Sequence, residues 1–297
     1  MTYSIIGRDP QTGALGIAVQ SRWFNVGQDV AWIEPGVGAV CTQSFMEPSY
    51  GPLALELLRY GRTPEATLTQ LVGGDDGRDL RQVAVMAADG SVAQHTGIGC
   101  VRAAGHVAGA NSCAQGNMLE RETCWGAMVA AFESTSGDLV DRLLGALDAA
   151  EAEGGDARGR QSAAILVRPA QATGVPWRDR VLDLCVVDHP QPLDELRRLV
   201  VLHRAYALLS RALRLADEGE LEAAVEAAES AQALVPEEDQ IAFWRATILQ
   251  RGGRDAEAHE ALFGAVSAHA PWLDFVTRCV DAGVLPPGAQ MLASRDA

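Results

Sequence analysis

The chain has 297 residues, 24 basic and 39 acidic side chains and a net charge of −15. Every basic residue is arginine; without lysine there is no Schiff-base enzyme, no pyridoxal-phosphate site and no Walker-type phosphate loop. The acidic balance argues against a phosphate-backbone binder, and 48% apolar residues supply a core.

In chain order, Tyr3 to Arg8 and Ala14 to Arg22 read as strands around the turn cluster Asp9-Pro10-Gln11-Thr12-Gly13. Along the second, Leu15, Ile17 and Val19 share one face and Gly16, Ala18 and Gln20 the other. Val37 to Gln43 is a further strand. Gly51 to Tyr60 and Pro64 to Val72 are predicted helices, the second with Thr63 as N-cap and Pro64 at its first position. Gln82 to Ala87 and Ser91 to Thr96 flank the turn Asp89-Gly90 and predict a hairpin. His106 to Gln115 reads as one strand. Glu120 to Phe132 and Asp138 to Glu153 read as helices, and Gln161 to Arg168 and Val181 to Val187 as strands. This order predicts an α+β chain in which two sheets are sandwiched by helices, rather than a βαβ wheel.

From Pro192 the chain is helical. Gly219 and Gly253, Ala224 and Ala258, and Ala231 and Ala265 each lie 34 residues apart, and Pro236 and Pro271 close the units. That period, with small residues at helix contacts, resembles tetratricopeptide repeats. Two domains are expected, 1–204 and a repeat region 205–297. The repeat region carries 15 acids and 7 arginines. Two units leave an apolar end to be covered, so a protein partner at the repeats or a homo-oligomer is expected. The N-terminus has no basic leader or apolar segment, no run is long enough to span a membrane, and the six cysteines lack CxxC spacing. The expected location is cytoplasmic, with no metal, cofactor, nucleic acid or membrane partner.

The chemistry centres on the start of the chain. Removal of Met1 exposes Thr2, whose hydroxyl is a nucleophile and whose α-amine, with an ordinary pKa of about 7.7–8.0, is its base. If Arg8 faces Ala14, paired residue numbers sum to 22 and Thr2 faces Gln20, with Ser21 and Arg22 beyond. Thr2, Gln20, Arg22 and Gln43 are then expected to line one concavity, joined by His95 and Asn117. Gln43, Gln115 and Asn117 offer amides for an oxyanion or substrate. The glycine-rich stretch Gly154 to Arg160 could bring Arg158 or Arg160 to a substrate carboxylate, though a plain helix-to-strand loop explains it better. Glu47 and Tyr50 stand before a helix where they can line a pocket.

Longer segments carry a resemblance: Thr2-Tyr3-Ser4-Ile5-Ile6-Gly7-Arg8-Asp9-Pro10, Gly16-Ile17-Ala18-Val19-Gln20-Ser21-Arg22-Trp23-Phe24-Asn25-Val26-Gly27, Gly36 to Gln43, Tyr50-Gly51-Pro52, Ala93 to Gly97, Gln115 to Leu119, Gly154 to Ala164 and Val187 to Pro190. Over about Met1 to His203 the chain resembles domain of unknown function 1028, an uncharacterised bacterial family of the N-terminal-nucleophile (Ntn) hydrolase superfamily. The resemblance implies an αββα sandwich and cleavage of a C–N bond in a small amide by a residue at the mature N-terminus. Thr2, Gln20, Arg22 and Asn117 are the expected catalytic residues. Ser21, Gln43, Glu47, Tyr50, His95, Gln115, Arg158 and Gln161 are the expected substrate-binding set. Proteasome-like relatives use a lysine near the nucleophile, which Arg22 is expected to replace here. Two alternatives stay open: an internal nucleophile at Ser21 or Ser162, and a non-catalytic Ntn fold that serves assembly through its repeats.

Overall fold

The computed structural model describes residues 2–285. It divides into two compact units, 1–197 and 198–297. Unit 1 holds ten strands: β1 (Thr2–Arg8), β2 (Leu15–Ser21), β3 (Ala31–Glu34), β4 (Gly38–Ser44), β5 (Arg81–Ala87), β6 (Val92–Thr96), β7 (Gly105–Ala108), β8 (Ser112–Asn117), β9 (Ser162–Arg168) and β10 (Leu182–Val186). Its helices are α1 (Val26–Val30), α2 (Tyr50–Arg59), α3 (Pro64–Gly73), α4 (Cys124–Ser134) and α5 (Leu139–Ala152). The strands form a six-stranded sheet, β10-β9-β2-β1-β8-β7, and a four-stranded sheet, β3-β4-β5-β6. Every paired neighbour is antiparallel.

The β1–β2 connection decides which side chains share a face. Asp9 receives Gln11 N and Thr12 Oγ1 on its carboxylate (2.9 and 2.8 Å), and its own N–H bonds Ala14 O at 2.9 Å. The turn therefore keeps Ala14, and Arg8 pairs with Leu15. This is one residue later than the sequence predicts. Thr2 pairs with Ser21, and Gln20 pairs with Tyr3 on the opposite face, because a one-residue shift of register moves every side chain across the sheet.

One face of β1 and β2, with Ile6, Leu15, Ile17 and Val19, packs against Ala39, Cys41, Ala84 and Met86 of the smaller sheet. The far face of the smaller sheet buries Val40, Val83 and Val85 against Tyr50, Ala54, Leu55 and Leu68 of α2 and α3. The other face of the larger sheet meets α4 and α5, where glycine makes the approach close: Gly16 Cα lies so near Leu143 that an added Cβ would stand 2.5 Å from its Cδ1. Gly7 sits flush under the Phe132 ring. We expect Gly7→Ala to cost about 1–3 kcal/mol through overpacking, read as a lower urea midpoint at unchanged m-value.

Two helices begin on side-chain caps, the first of them expected. Thr63 Oγ1 accepts from Ala66 N at 3.2 Å with Pro64 beginning α3, and Asp138 accepts from Asp141 N at 3.0 Å. The stretch predicted as one strand from His106 is instead the hairpin β7–β8, turning at Gly109. The short elements α1 and β3 have no counterpart in the sequence reading.

Unit 2 is helical. The helix α6 (Pro192–Glu218) runs across the division at Arg197, so the predicted boundary at 204 falls within a continuous helix. It is followed by α7 (Leu221–Leu234), α8 (Asp239–Arg251), α9 (Asp255–Ala268) and α10 (Pro271–Asp281). Small residues, among them Ala212, Ala224, Ala228, Ala258 and Ala265, pack with Phe243 and Val276 in its core. No helix among the described residues is long and apolar enough to cross a membrane.

Candidate functional site

At one end of unit 1 the two sheets part around a cavity of about 520 Å³. The larger sheet supplies Thr2, Ser21 and the flanking Met118; the smaller supplies Gln43, Ser44 and Arg81. Trp23, Val26, Val30, Phe45, Met46 and Arg158 complete the wall. Thr2 is 6% exposed, and its Oγ1 lies 3.0 Å from Ser21 Oγ. That pair exists because the longer turn places Ser21, not Gln20, across from Thr2.

Beneath Thr2 lies a buried amide network. Gln43 Nε2 donates to Thr2 O (3.0 Å) and to Gln82 Oε1 (2.8 Å), and Gln43 Oε1 accepts from Ser4 Oγ (2.7 Å). Asn117, paired with Thr2 on β8, donates from Nδ2 to the same Gln82 Oε1 at 2.9 Å. Gln82 Nε2 reaches Gly116 O at 2.7 Å and Thr96 Oγ1 at 3.0 Å. Four fully or almost fully buried amides thus stand together: Gln43, Gln82, Gln115 and Asn117. Gln43 both lines the cavity and fixes the main chain of Thr2, and Asn117 is tied to it through Gln82. Gln115 Nε2 bonds Cys41 O at 3.1 Å. Asn117 does not line the cavity: its Nδ2 is held by Gln82, and its buried Oδ1 has no partner among the described residues.

Other expected residues lie elsewhere. Gln20 points to the helix side of the sheet, where neither side-chain polar atom has a partner among the described residues. Arg22 is exposed, and its Nη1 donates to Arg160 O at 2.9 Å, away from the cavity. Ser162 Oγ is committed to structure: it donates to Trp23 O at 2.5 Å and accepts from Val26 N at 3.0 Å, which sets α1 under the cavity. His95 Nε2 stands 2.9 Å from Arg78 O, and Gln161 Nε2 donates to Asp188 Oδ1 at 3.1 Å. Burial, and next the neighbouring His95, hold His106 below the usual imidazole range while its Nδ1 sits 2.8 Å from Thr96 Oγ1.

Glu47 and Tyr50 face a different and larger groove of about 750 Å³ that also includes Glu56, Asp75 and Asp76. Glu47 Oε1 accepts from Ser49 Oγ at 2.7 Å, and Tyr50 donates its hydroxyl to Asp75 Oδ2 at 2.8 Å. Arg81 links the groove to the cavity: its Nε donates to Asp75 Oδ2 (2.7 Å) and its Nη1 to Phe45 O (2.5 Å). The Arg81 bond holds the Asp75 carboxyl down at about 2. A carboxylate depressed in the folded chain stabilises fully above its unfolded pKa and loses that contribution as pH falls through the folded one. Acidification from pH 5 to pH 2 is therefore expected to lower the urea midpoint more in the wild type than in Asp75→Asn.

Three non-glycine residues among those described have left-handed backbones: Ser44 (φ 72°), Met118 (φ 54°) and Asn25 (φ 51°). Ser44 and Met118 both line the cavity, and Asn25 precedes α1, whose Val26 and Val30 line it. Conformations that cost of order 1–3 kcal/mol each gather at sites where geometry matters more than stability. Arg81, Gln82, Ser44 and Met118 were not singled out from sequence, which holds no local mark for any of them.

A family of unknown function, DUF1028, matches residues 2–196. The chain belongs to the DUF1028 family. The match ends within one residue of the end of unit 1, so the cavity and its network lie inside the DUF1028 region. The crystal structure of protein SPO2555 from Silicibacter pomeroyi, also of DUF1028, is similar: 34% identity, 67% of this chain and 84% of that one covered, TM-score 0.61. No curated protein matches the chain.

Proposed function

We propose that the DUF1028 unit is an Ntn-type amidohydrolase that cleaves a C–N bond in a small amide, with Thr2 as nucleophile. The observation that carries this reading is the placement of the Thr2 hydroxyl at the cavity wall, against Ser21 and above a network that immobilises its main chain. The layer order of helix pair, two sheets and helix pair is consistent with an Ntn-like sandwich. In the reaction, Thr2 Oγ forms a bond to the amide carbonyl carbon and passes its proton to the Thr2 α-amine. The C–N bond breaks as that proton reaches the leaving nitrogen, and an acyl ester remains on Thr2. Water then adds to the ester with the amine again as base, giving a carboxylic acid and restoring the hydroxyl. Ser21 holds Thr2 Oγ in place. Arg81 and Arg158 replace the expected Arg22 as the positive charges of the site.

The mechanism requires removal of Met1, which lies outside the described residues. It also fixes a pH profile. The amine works only when neutral, so turnover rises as pH passes upward through its pKa, ordinarily about 7.7–8.0. Screening small amides with the wild type, Thr2→Ser and a variant with one alanine inserted before Thr2 tests the reading. Thr2→Ser keeps partial activity and the insertion removes it; full activity in the inserted variant rejects Thr2 as an N-terminal nucleophile and favours Ser21.

For unit 2 we propose a tetratricopeptide-like pair of repeats. In support, α7 and α9 are each 14 residues long with starts 34 residues apart, and Gly219 and Gly253 close the preceding helices with φ of 85° and 74°. Such a short array needs a cover, either a second copy or a protein partner.

A further inference from the structure

The wall of the cavity beside Thr2 carries two guanidinium groups, each paired with a carboxylate that lies outside the wall. The chain carries −15, yet the wall includes Arg81 and Arg158 and no carboxylate. The rest of the wall is mainly apolar, with Val26, Val30, Phe45 and Met118. A volume of about 520 Å³ suits a small organic ligand.

The two arginines differ. Arg81 is clamped by Asp75 and the Phe45 carbonyl, with 18% of its side chain exposed. Arg158 keeps 38% of its side chain exposed. It is set by Asp156, a wholly buried side chain whose Oδ1 accepts from Arg158 N (2.9 Å) and whose Oδ2 accepts from Arg22 N (2.8 Å). The Arg158 guanidinium also faces that carboxylate, with Nε 3.4 Å from Oδ1 and Nη2 3.3 Å from Oδ2. A buried carboxylate that is not part of the cavity wall thus orients a half-exposed guanidinium that is. Orienting in advance lowers the entropy cost of binding an anion, and a guanidinium, with five N–H donors, can bridge one carboxylate to a second. Ser44 Oγ, buried and without a partner among the described residues, adds a hydroxyl in the same wall.

We infer that the cavity takes an amido acid, a small amide that also carries a carboxylate, as an N-acyl amino acid does, with Arg158 holding the carboxylate and the apolar wall its side chain. The inference rests on the amidohydrolase reading for the bond that is cut, but the anion subsite is measurable without turnover.

The test uses calorimetry on the full chain carrying Thr2→Ala, with N-acetyl-phenylalanine and its neutral carboxamide as probes. The carboxylate is expected to bind at least about tenfold more tightly, the size of one charge-assisted contact. Adding Arg158→Gln should erase the preference, and Arg158→Lys, which keeps the charge but not the fork, should retain part of it. Thermal unfolding reports whether each variant is folded, and if Arg158→Gln is not, the reduced preference of Arg158→Lys decides. Equal affinities for the two probes, or no binding of either, overturn the inference, as does a preference that survives Arg158→Gln. Turnover is scored separately on the same probes. Residual hydrolysis by Thr2→Ala with an Arg158-dependent preference rejects the nucleophile and leaves the subsite standing. Thr2-dependent hydrolysis without a carboxylate preference does the reverse.

Discussion

Thr2→Ala is expected to lower amide turnover by at least about 10³-fold while leaving the urea midpoint nearly unchanged. The chemical loss is complete because no acyl ester forms without Oγ. The structural loss is small. Thr2 Oγ1 makes one side-chain bond, to Ser21 Oγ, and the main-chain contacts of Thr2, to Gln43 and to both neighbouring strands, survive the substitution. Ser21→Ala should cost far less, about tenfold, since it removes an orienting hydroxyl and leaves the nucleophile. Steady-state rates on one amide, measured beside urea curves for all three proteins, check both parts. A Thr2→Ala protein within tenfold of wild type refutes the assignment; one that is inactive but unfolded says nothing for it, which is why the two measurements are paired.

Gln82→Met is expected to be the most destabilising substitution near the site, by about 3 kcal/mol. Methionine nearly conserves volume, so the cost is polar rather than a cavity. Gln82 is fully buried and accepts from both Gln43 Nε2 and Asn117 Nδ2 while donating to Gly116 O. Its loss leaves two buried donors unpaired, at about 1–3 kcal/mol each, partly offset by relaxation. Because Gln43 also holds the Thr2 carbonyl, activity should fall with stability. Chemical denaturation checks the first effect; a loss under about 1 kcal/mol would show that the network does not support the site.

The local features of this fold were legible in the sequence. Thr63-Pro64 capped the helix it announced, and Asp89-Gly90 turned its hairpin at Gly90, with φ of 93°. What misled was one residue in a loop. Asp9 offers its carboxylate to the turn and keeps Ala14 inside it, and alternation in the strands looks the same in either register. That one residue exchanged Gln20 for Ser21 beside Thr2. The remaining site residues were illegible for a different reason. Gln82 sits in a strand where nothing nearby in sequence marks it as a hub, and Ser44 and Met118 have no preference for the left-handed backbone they adopt. Arg22 stood in for the missing lysine, but β2 ends at Ser21 and the Arg22 guanidinium is drawn to Arg160 O, while the guanidinium groups at the cavity wall belong to the start of β5 and to the loop before β9.

The most direct measurement is the intact mass of the protein before and after treatment with a β-lactone, which acylates a nucleophilic hydroxyl. Thr2 as an N-terminal nucleophile predicts a mature chain lighter by one methionine. It also predicts a single adduct mapped to Thr2, absent from Thr2→Ala and from the alanine-inserted variant. A chain that keeps Met1 yet still hydrolyses an amide, or an adduct that forms equally in the alanine-inserted variant, would contradict it.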